Sequence, residues 1–160
     1  MILNQDLKFI DLPANHQAAF SGRRARKMLL QAGQQFYKFT DATLVRPPRK
    51  PDEQPSISPW WSAVEPISET DTGLQTLLDL AESVGVSPAT FARARNAVTK
   101  QWNSMSGLIV MQLLVPAYGF VGGVAHQPID NRDEFKNVMF IGGAIQVYIA
   151  SLVPSQVRKV

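Results

Sequence analysis

Apolar residues along this chain follow two periods. At helical spacing, Leu74, Leu77, Leu78 and Ala81 share one side of a segment spanning Leu74–Val84, and Gly85 is placed to stop it. Ser87 and Pro88 then supply a capping hydroxyl and a first helical residue. Phe91, Ala94, Val98 and Trp102 form the apolar stripe of a second helix, predicted over Pro88–Trp102. Gly22 to Gln31 also reads as a short helix, with Arg23, Arg24, Arg26 and Lys27 ahead of Met28-Leu29-Leu30 and Gly33 as its stop.

Elsewhere the pattern is that of strands. In Phe36–Thr40, Tyr37 and Phe39 share one face and Phe36, Lys38 and Thr40 the other. Two readings stand for Lys38, a side chain that snorkels to water at a sheet edge or a point charge that holds a phosphate. Ile57–Trp60 reads as a short strand in which adjacent tryptophans, Trp60 and Trp61, point to opposite faces. One of the pair is expected in the core and the other on a cleft, as a wall for a flat heterocycle. Leu108–Val115 is apolar except for Gln112, and Ala144–Ile149 alternates strictly. Its residues Ile145, Val147 and Ile149 belong to a core, leaving Gln146 and Tyr148 side by side on the second face. Just upstream, Gly142-Gly143 would let a ligand approach the backbone.

The remaining segments have no period. Met1–Ser21 reads as a loosely organised lead-in, and the prolines between Val45 and Ser56 mark a surface loop. From Gln101 to Ile129 no residue is charged. A membrane helix needs about 20 apolar residues, but Gln112, Pro116, Gly119, Gly122 and Gly123 interrupt this run, so buried strands are the preferred reading. Together these elements predict a single α+β domain over residues 1–160, with helices packed beside mainly antiparallel strands.

Composition narrows the chemistry. An apolar fraction of 45% with 18% charged residues is that of a globular protein. The net charge of +3, from 16 Lys and Arg against 13 Asp and Glu, comes without any nucleic-acid-binding motif. With no cysteine, disulfides, thiol catalysis and cysteine-based zinc sites are excluded, and His16 and His126 are too few for a histidine-rich metal site. The start lacks the charge and apolar run of a signal peptide, so folding in the cytoplasm is expected; a bacterial effector delivered by a dedicated export machine would lack one too, so this does not fix where the protein acts.

Three segments, Phe36–Thr40, Ile57–Ser62 and Gly142–Gln146, resemble in order and spacing the ADP-ribosyltransferase superfamily of NAD-consuming toxin domains. The closing Gly-Gly-x-x-Gln is similar to the variant in NAD glycohydrolase toxins, where glutamine stands in place of the catalytic acid. The resemblance implies an ADP-ribosyltransferase-like fold with NAD as substrate. Lys38 and Gln146 would be catalytic, and Tyr37, Ser58, Trp60, Trp61, Gly142, Gly143 and Tyr148 would contact NAD. His126, in a loop after Gly122-Gly123, is a further candidate for orienting the substrate. The chain departs from the family in carrying Lys38 where arginine or histidine is expected, and Gln146 where glutamate is.

The chemistry is consistent with these residue types. Cleavage of the nicotinamide–ribose bond passes through a sugar cation, and hydrogen bonds to the 2-hydroxyl tighten as it develops. Gln146 offers such a bond without a negative charge. The resemblance leaves the acceptor open between water and a macromolecule, and brings an immunity protein as an expected partner. Two other classes stand beside it: a non-enzymatic binding or immunity module with an apolar partner interface, and a membrane-inserting hairpin of Leu108–Val124 and Val138–Val153.

Overall fold

The computed structural model describes residues 1–96, 105–128, 139–140 and 144–160. Its strands are β1 (Arg26–Leu30), β2 (Gln35–Thr40), β3 (Val45–Arg46), β4 (Ser56–Ile57), β5 (Trp60–Ala63), β6 (Gly107–Leu113), β7 (Ala117–Gly123), β8 (Gln127–Pro128), β9 (Met139–Phe140), β10 (Ile145–Tyr148) and β11 (Val157–Lys159). The helices are α1 (Ala14–Ala18), α2 (Gly73–Ser83) and α3 (Pro88–Arg95). Seven strands form one sheet in the order β1-β7-β10-β5-β2-β6-β11, and two-stranded ribbons pair β3 with β4 and β8 with β9. Every strand pair in the large sheet is antiparallel. The architecture is the α+β arrangement expected, a mainly antiparallel sheet with few helices.

The sheet is strongly curled. One core cluster joins Leu30 and Val121 from one end of the strand order to Leu113 and Val157 from the other. In a flat sheet the outermost strands would stand nearly 30 Å apart, at about 4.8 Å per strand. The β1–β2 turn bridges the same gap, because Gly33 N–H donates to the Leu113 carbonyl at 2.8 Å. Phe36, Trp61, Met111 and Val147 fill the concave space.

The convex face is covered by two separate layers. Over β2, α2 and α3 bury Leu77 and Ala92 against Tyr37. Gly73 begins α2 with φ of 71°, and a Cβ there would lie 2.8 Å from the Val64 carbonyl oxygen, so the close helix–strand approach needs glycine. The Ser87 hydroxyl accepts from Thr90 N–H at 3.1 Å and caps α3 as expected. That helix ends at Arg95; the rest of the predicted span, to Trp102, includes residues outside those described.

Over β7, β10 and β5 lies the segment expected as a loose lead-in. It has structure of its own: a 3-10 turn at Phe9–Asp11, then α1. Leu12 and Phe20 pack with Phe120 and Tyr148, and Leu3 bridges Ala117 in parallel. Their burial holds the segment down although it shows no period.

Other expectations are corrected. The helix read over Gly22–Gln31 is a 3-10 turn, Ser21–Arg23, followed by strand β1. Positive φ at Gly22 and Arg23 breaks the helical path, and pairing from Arg26↔Val121 to Leu30↔Ala117 holds the rest extended. Tertiary pairing here overrides local preference. The strand expected at Ile57–Trp60 divides at Ser58-Pro59 into β4 and β5. No helix among the described residues is long and apolar enough to cross a membrane. Within the first half of the supposed hairpin, β6 and β7 are strands of the large sheet, paired with β2, β11, β1 and β10.

Candidate functional site

Register decides which candidates can meet. Residues directly opposite in antiparallel strands point to the same side of the sheet. Tyr148↔Trp60 and Tyr37↔Ser62 set one face, so Gln146, Tyr148, Trp60 and Tyr37 are on the convex side. Val147↔Trp61 and Phe36↔Ala63 set the other, so Trp61 and Lys38 are on the concave side. Lys38 and Gln146, the two residues expected to share the chemistry, therefore lie on opposite faces.

On the convex face a compact cluster forms. The rings of Trp60 and Tyr148 meet edge-on with centroids 4.7 Å apart. His16, from α1, stands edge-on to Trp60 at 5.5 Å, and its Nδ1 lies 3.0 Å from the Tyr148 hydroxyl. Burial raises the Tyr148 hydroxyl above the ordinary phenol range. Trp60 is half-buried and closes the other side of the ring group against Phe20, at 5.7 Å.

Gln146 sits one alternation along from Tyr148 and is held from the lead-in. Its Nε2 donates to the Ala19 carbonyl at 2.8 Å, an oxygen that also accepts from Ala125 N–H at 2.9 Å. Opposite Gln146 stands Gly122, where a Cβ would come within 2.7 Å of the Arg24 carbonyl oxygen and 2.9 Å of the Phe20 ring. The missing side chain is what lets the lead-in approach the glutamine. The Gln146 Oε1 has no partner among the described residues, which leaves an anchored amide with an available acceptor.

The other candidates are placed differently. Tyr37 is 4% exposed beneath α2 and α3, and burial, followed by the Asp71 charge, pushes its hydroxyl up to about 12. It packs rather than lining a cleft. His126 is exposed, and no hydrogen bond or ring contact ties it to the cluster among the described residues. Gly142 and Gly143 lie outside the described residues.

On the concave face Lys38 Nζ donates to the Ser58 hydroxyl at 2.9 Å and lies 5.3 Å from the Trp61 ring centroid. Trp61 is 3% exposed, and its indole N–H donates to the Ser58 carbonyl at 2.6 Å. Burial, and after it the Arg46 charge, holds the Lys38 ammonium down at about 8. Further along the sheet, Arg26, Ser68, Thr70, Val121 and Ile145 line a groove of about 470 Å³.

Sequence reasoning brought Gln146, Tyr148 and Trp60 together as a group but did not place His16 or Arg46 near any site. His16 had one available signal, that it is one of only two histidines in the chain.

No family model and no curated protein matches this chain. Among solved structures it is similar to a chain in the structure of Tse6 in complex with Tsi6, with a TM-score of 0.40 and 13% identity over 93% of this chain and 83% of that one.

Proposed function

We propose that this domain is an NAD-consuming effector of the ADP-ribosyltransferase type that breaks the nicotinamide–ribose bond at the convex face of β10. The observation that carries the reading is the state of Gln146: its amide nitrogen is fixed on Ala19, and its oxygen has no partner among the described residues. A neutral acceptor held in advance would bond the ribose 2-hydroxyl as positive charge develops on the sugar, and would need no rearrangement to do so. Support also comes from the sheet order, in which β10, β5 and β2, the strands formed by the three resembling segments, are consecutive neighbours. Trp60, half-buried and backed edge-on by the buried Tyr148 ring, supplies the partly open aromatic surface for a flat ring.

Lys38 has no part in this proposal, since it faces the other side. Nicotinamide departs as a neutral molecule with the electron pair of the broken bond, so no general acid is required. Water is the favoured acceptor, because Gln146 lacks the charge that a carboxylate would use to activate a macromolecular hydroxyl or guanidine.

The test is release of free nicotinamide from NAD by the purified domain, followed by chromatography. Release that disappears in Gln146→Ala supports the proposal. A folded wild-type domain that releases none overturns it and favours the binding-module reading.

A further inference from the structure

Charge is distributed unevenly along the chain. Residues 1–27 carry five Lys or Arg against Asp6 and Asp11, whereas residues 28–160 carry eleven of each sign. The whole net charge of +3 therefore belongs to the first stretch, and four of its basic residues, Arg23, Arg24, Arg26 and Lys27, gather at the start of β1. All four are exposed. Lys27 is tied to the Gln5 carbonyl at 2.6 Å and lies over the Tyr118 ring. Arg26 Nη2 lies 3.8 Å from Met28 Sδ, and Arg23, Arg24 and Arg26 form no ion pair among the described residues.

The backbone of the same strand is half used. β1 is the outermost strand of the large sheet and pairs there with β7 alone, from Arg26↔Val121 to Leu30↔Ala117. In an antiparallel ladder, alternate residues turn their N–H and C=O groups to opposite sides. Part of β1 therefore points its backbone groups away from β7, and Arg26 to Leu30 make no further backbone–backbone bond among the described residues. Arg24 is also extended, with φ of −128° and ψ of 133°, so the edge continues past Arg26. An open edge of this kind accepts an added strand. The opposite edge, β11, is shorter, with three residues against five.

Charge decides which strand. Basic side chains on an edge guard it against copies of itself. A second copy laid antiparallel and centred on Met28 would set Arg26 against Leu30 and Lys27 against Leu29. Laid parallel and in register, it would set like charges side by side, which is destabilising. A carboxylate-bearing strand meets neither obstacle, and its acids would form charge-assisted bonds to the guanidinium groups.

We propose that the open edge of β1 is a docking site for an extended, acidic segment of a partner protein, added antiparallel beside β1. That direction continues the pairing of the large sheet, where every strand pair is antiparallel. The segment then runs from apolar to acidic. Its first residues lie beside the half-buried Met28 and Leu29, and its carboxylates reach Arg26, Arg24 and Arg23. No part of this rests on the NAD reading.

The probe is a fluorescent synthetic peptide, rich in valine and threonine at its N-terminal end and in glutamate at its C-terminal end. It is titrated into the whole chain and followed by anisotropy. The expected result is saturable binding that weakens with salt, with slowed amide hydrogen exchange centred on β1. Arg24→Glu and Arg26→Glu change exposed side chains and should each weaken binding about tenfold, since a surface attraction becomes a repulsion. Two further peptides are N-methylated at one or the other alternate set of positions, which keeps their charge. One set should abolish binding and the other spare it, the signature of strand addition. Should a charge-reversed variant misfold by circular dichroism, the peptide series decides alone. The proposal is overturned by absence of binding, by equal binding of a peptide with lysine in place of glutamate, or by binding that neither methylated set disturbs. Protection of β1 through self-association without peptide also overturns it, as does capture by phosphatidylserine vesicles or an RNA oligonucleotide while the peptide stays unbound.

Discussion

His16 Nδ1 and the Tyr148 hydroxyl lie 3.0 Å apart across 132 residues of sequence. This contact ties the lead-in to the strand that carries Gln146. Tyr148→Phe keeps the ring contact with Trp60 and removes only the hydroxyl, so a loss of about 0.5–1.5 kcal/mol is expected. His16→Ala also gives up the ring contact with Trp60 and should cost more. A double-mutant cycle by urea unfolding isolates the bond, with an expected coupling of about 1 kcal/mol. Strict additivity would show that the contact does not hold the lead-in in place.

The adjacent tryptophans should separate in stability. Trp61 is 3% exposed and central to the concave core, so Trp61→Ala should cost about 3–5 kcal/mol. Trp60 is half-buried but touches the rings of His16, Phe20 and Tyr148. Each aromatic pair contributes about 0.5–1.5 kcal/mol beyond area burial, so Trp60→Ala should not spare folding and should cost about half as much as Trp61→Ala. Thermal melts of the two variants check the order; equal losses would contradict it.

What was legible in the sequence is what local period encodes. Alternation in Ala144–Ile149 and Phe36–Thr40 sorted the side chains onto two faces, although Tyr37 and Tyr148 are buried on the face opposite the main core, and the stripe of Leu74, Leu77 and Ala81 marked α2. What was not legible depends on pairing. Arg26–Leu30 reads as helix because its extended form is imposed by β7. Lys38 and Gln146 each sit on a well-read strand, yet only the registers through Trp61 and Ser62 reveal that they face opposite ways. His16 enters the cluster through the burial of Leu12 and Phe20, which no periodicity in the first residues announces.

Lys38 should make stability depend on pH. Its ammonium sits at about 8 in the folded protein against 10.5 when exposed. Between those values the unfolded chain binds the extra proton, so the free energy of unfolding rises with pH across the window. Below about 8 both states are protonated and the full penalty applies. The residual exposure of Lys38 reduces the effect to about 1–3 kcal/mol. Tyr37 acts in the opposite sense, because its hydroxyl keeps its proton to about 12 in the folded state against 10.0 unfolded. Stability should therefore climb from about pH 8 to pH 10 and turn down above that. Urea unfolding of Lys38→Met should show no climb and greater stability than wild type at neutral pH. A climb that survives in that variant would assign it to another group.

Gln146 separates the chemical role from the structural one. Gln146→Ala gives up the bond to the Ala19 carbonyl, but that oxygen keeps the Ala125 N–H, so it is not left unsatisfied. The expected cost to folding is about 1 kcal/mol. NAD turnover should fall about a hundredfold or more, the scale for removing one transition-state hydrogen bond held in advance. Gln146→Glu is the sharper variant. An ionised carboxylate has no proton to donate, so one of its oxygens would face the Ala19 carbonyl oxygen at the distance now spanned by a bond of 2.8 Å. Glutamate should therefore destabilise the domain more than alanine does and should not restore turnover, even though resembling enzymes use the charged residue. Melting curves and nicotinamide release, measured on the same preparations, test both halves. Full turnover in a well-folded Gln146→Ala would end the site assignment. A glutamate variant as stable and active as wild type would show instead that the Ala19 contact does not fix the amide, and with it would go the argument for an acceptor held ready on this face.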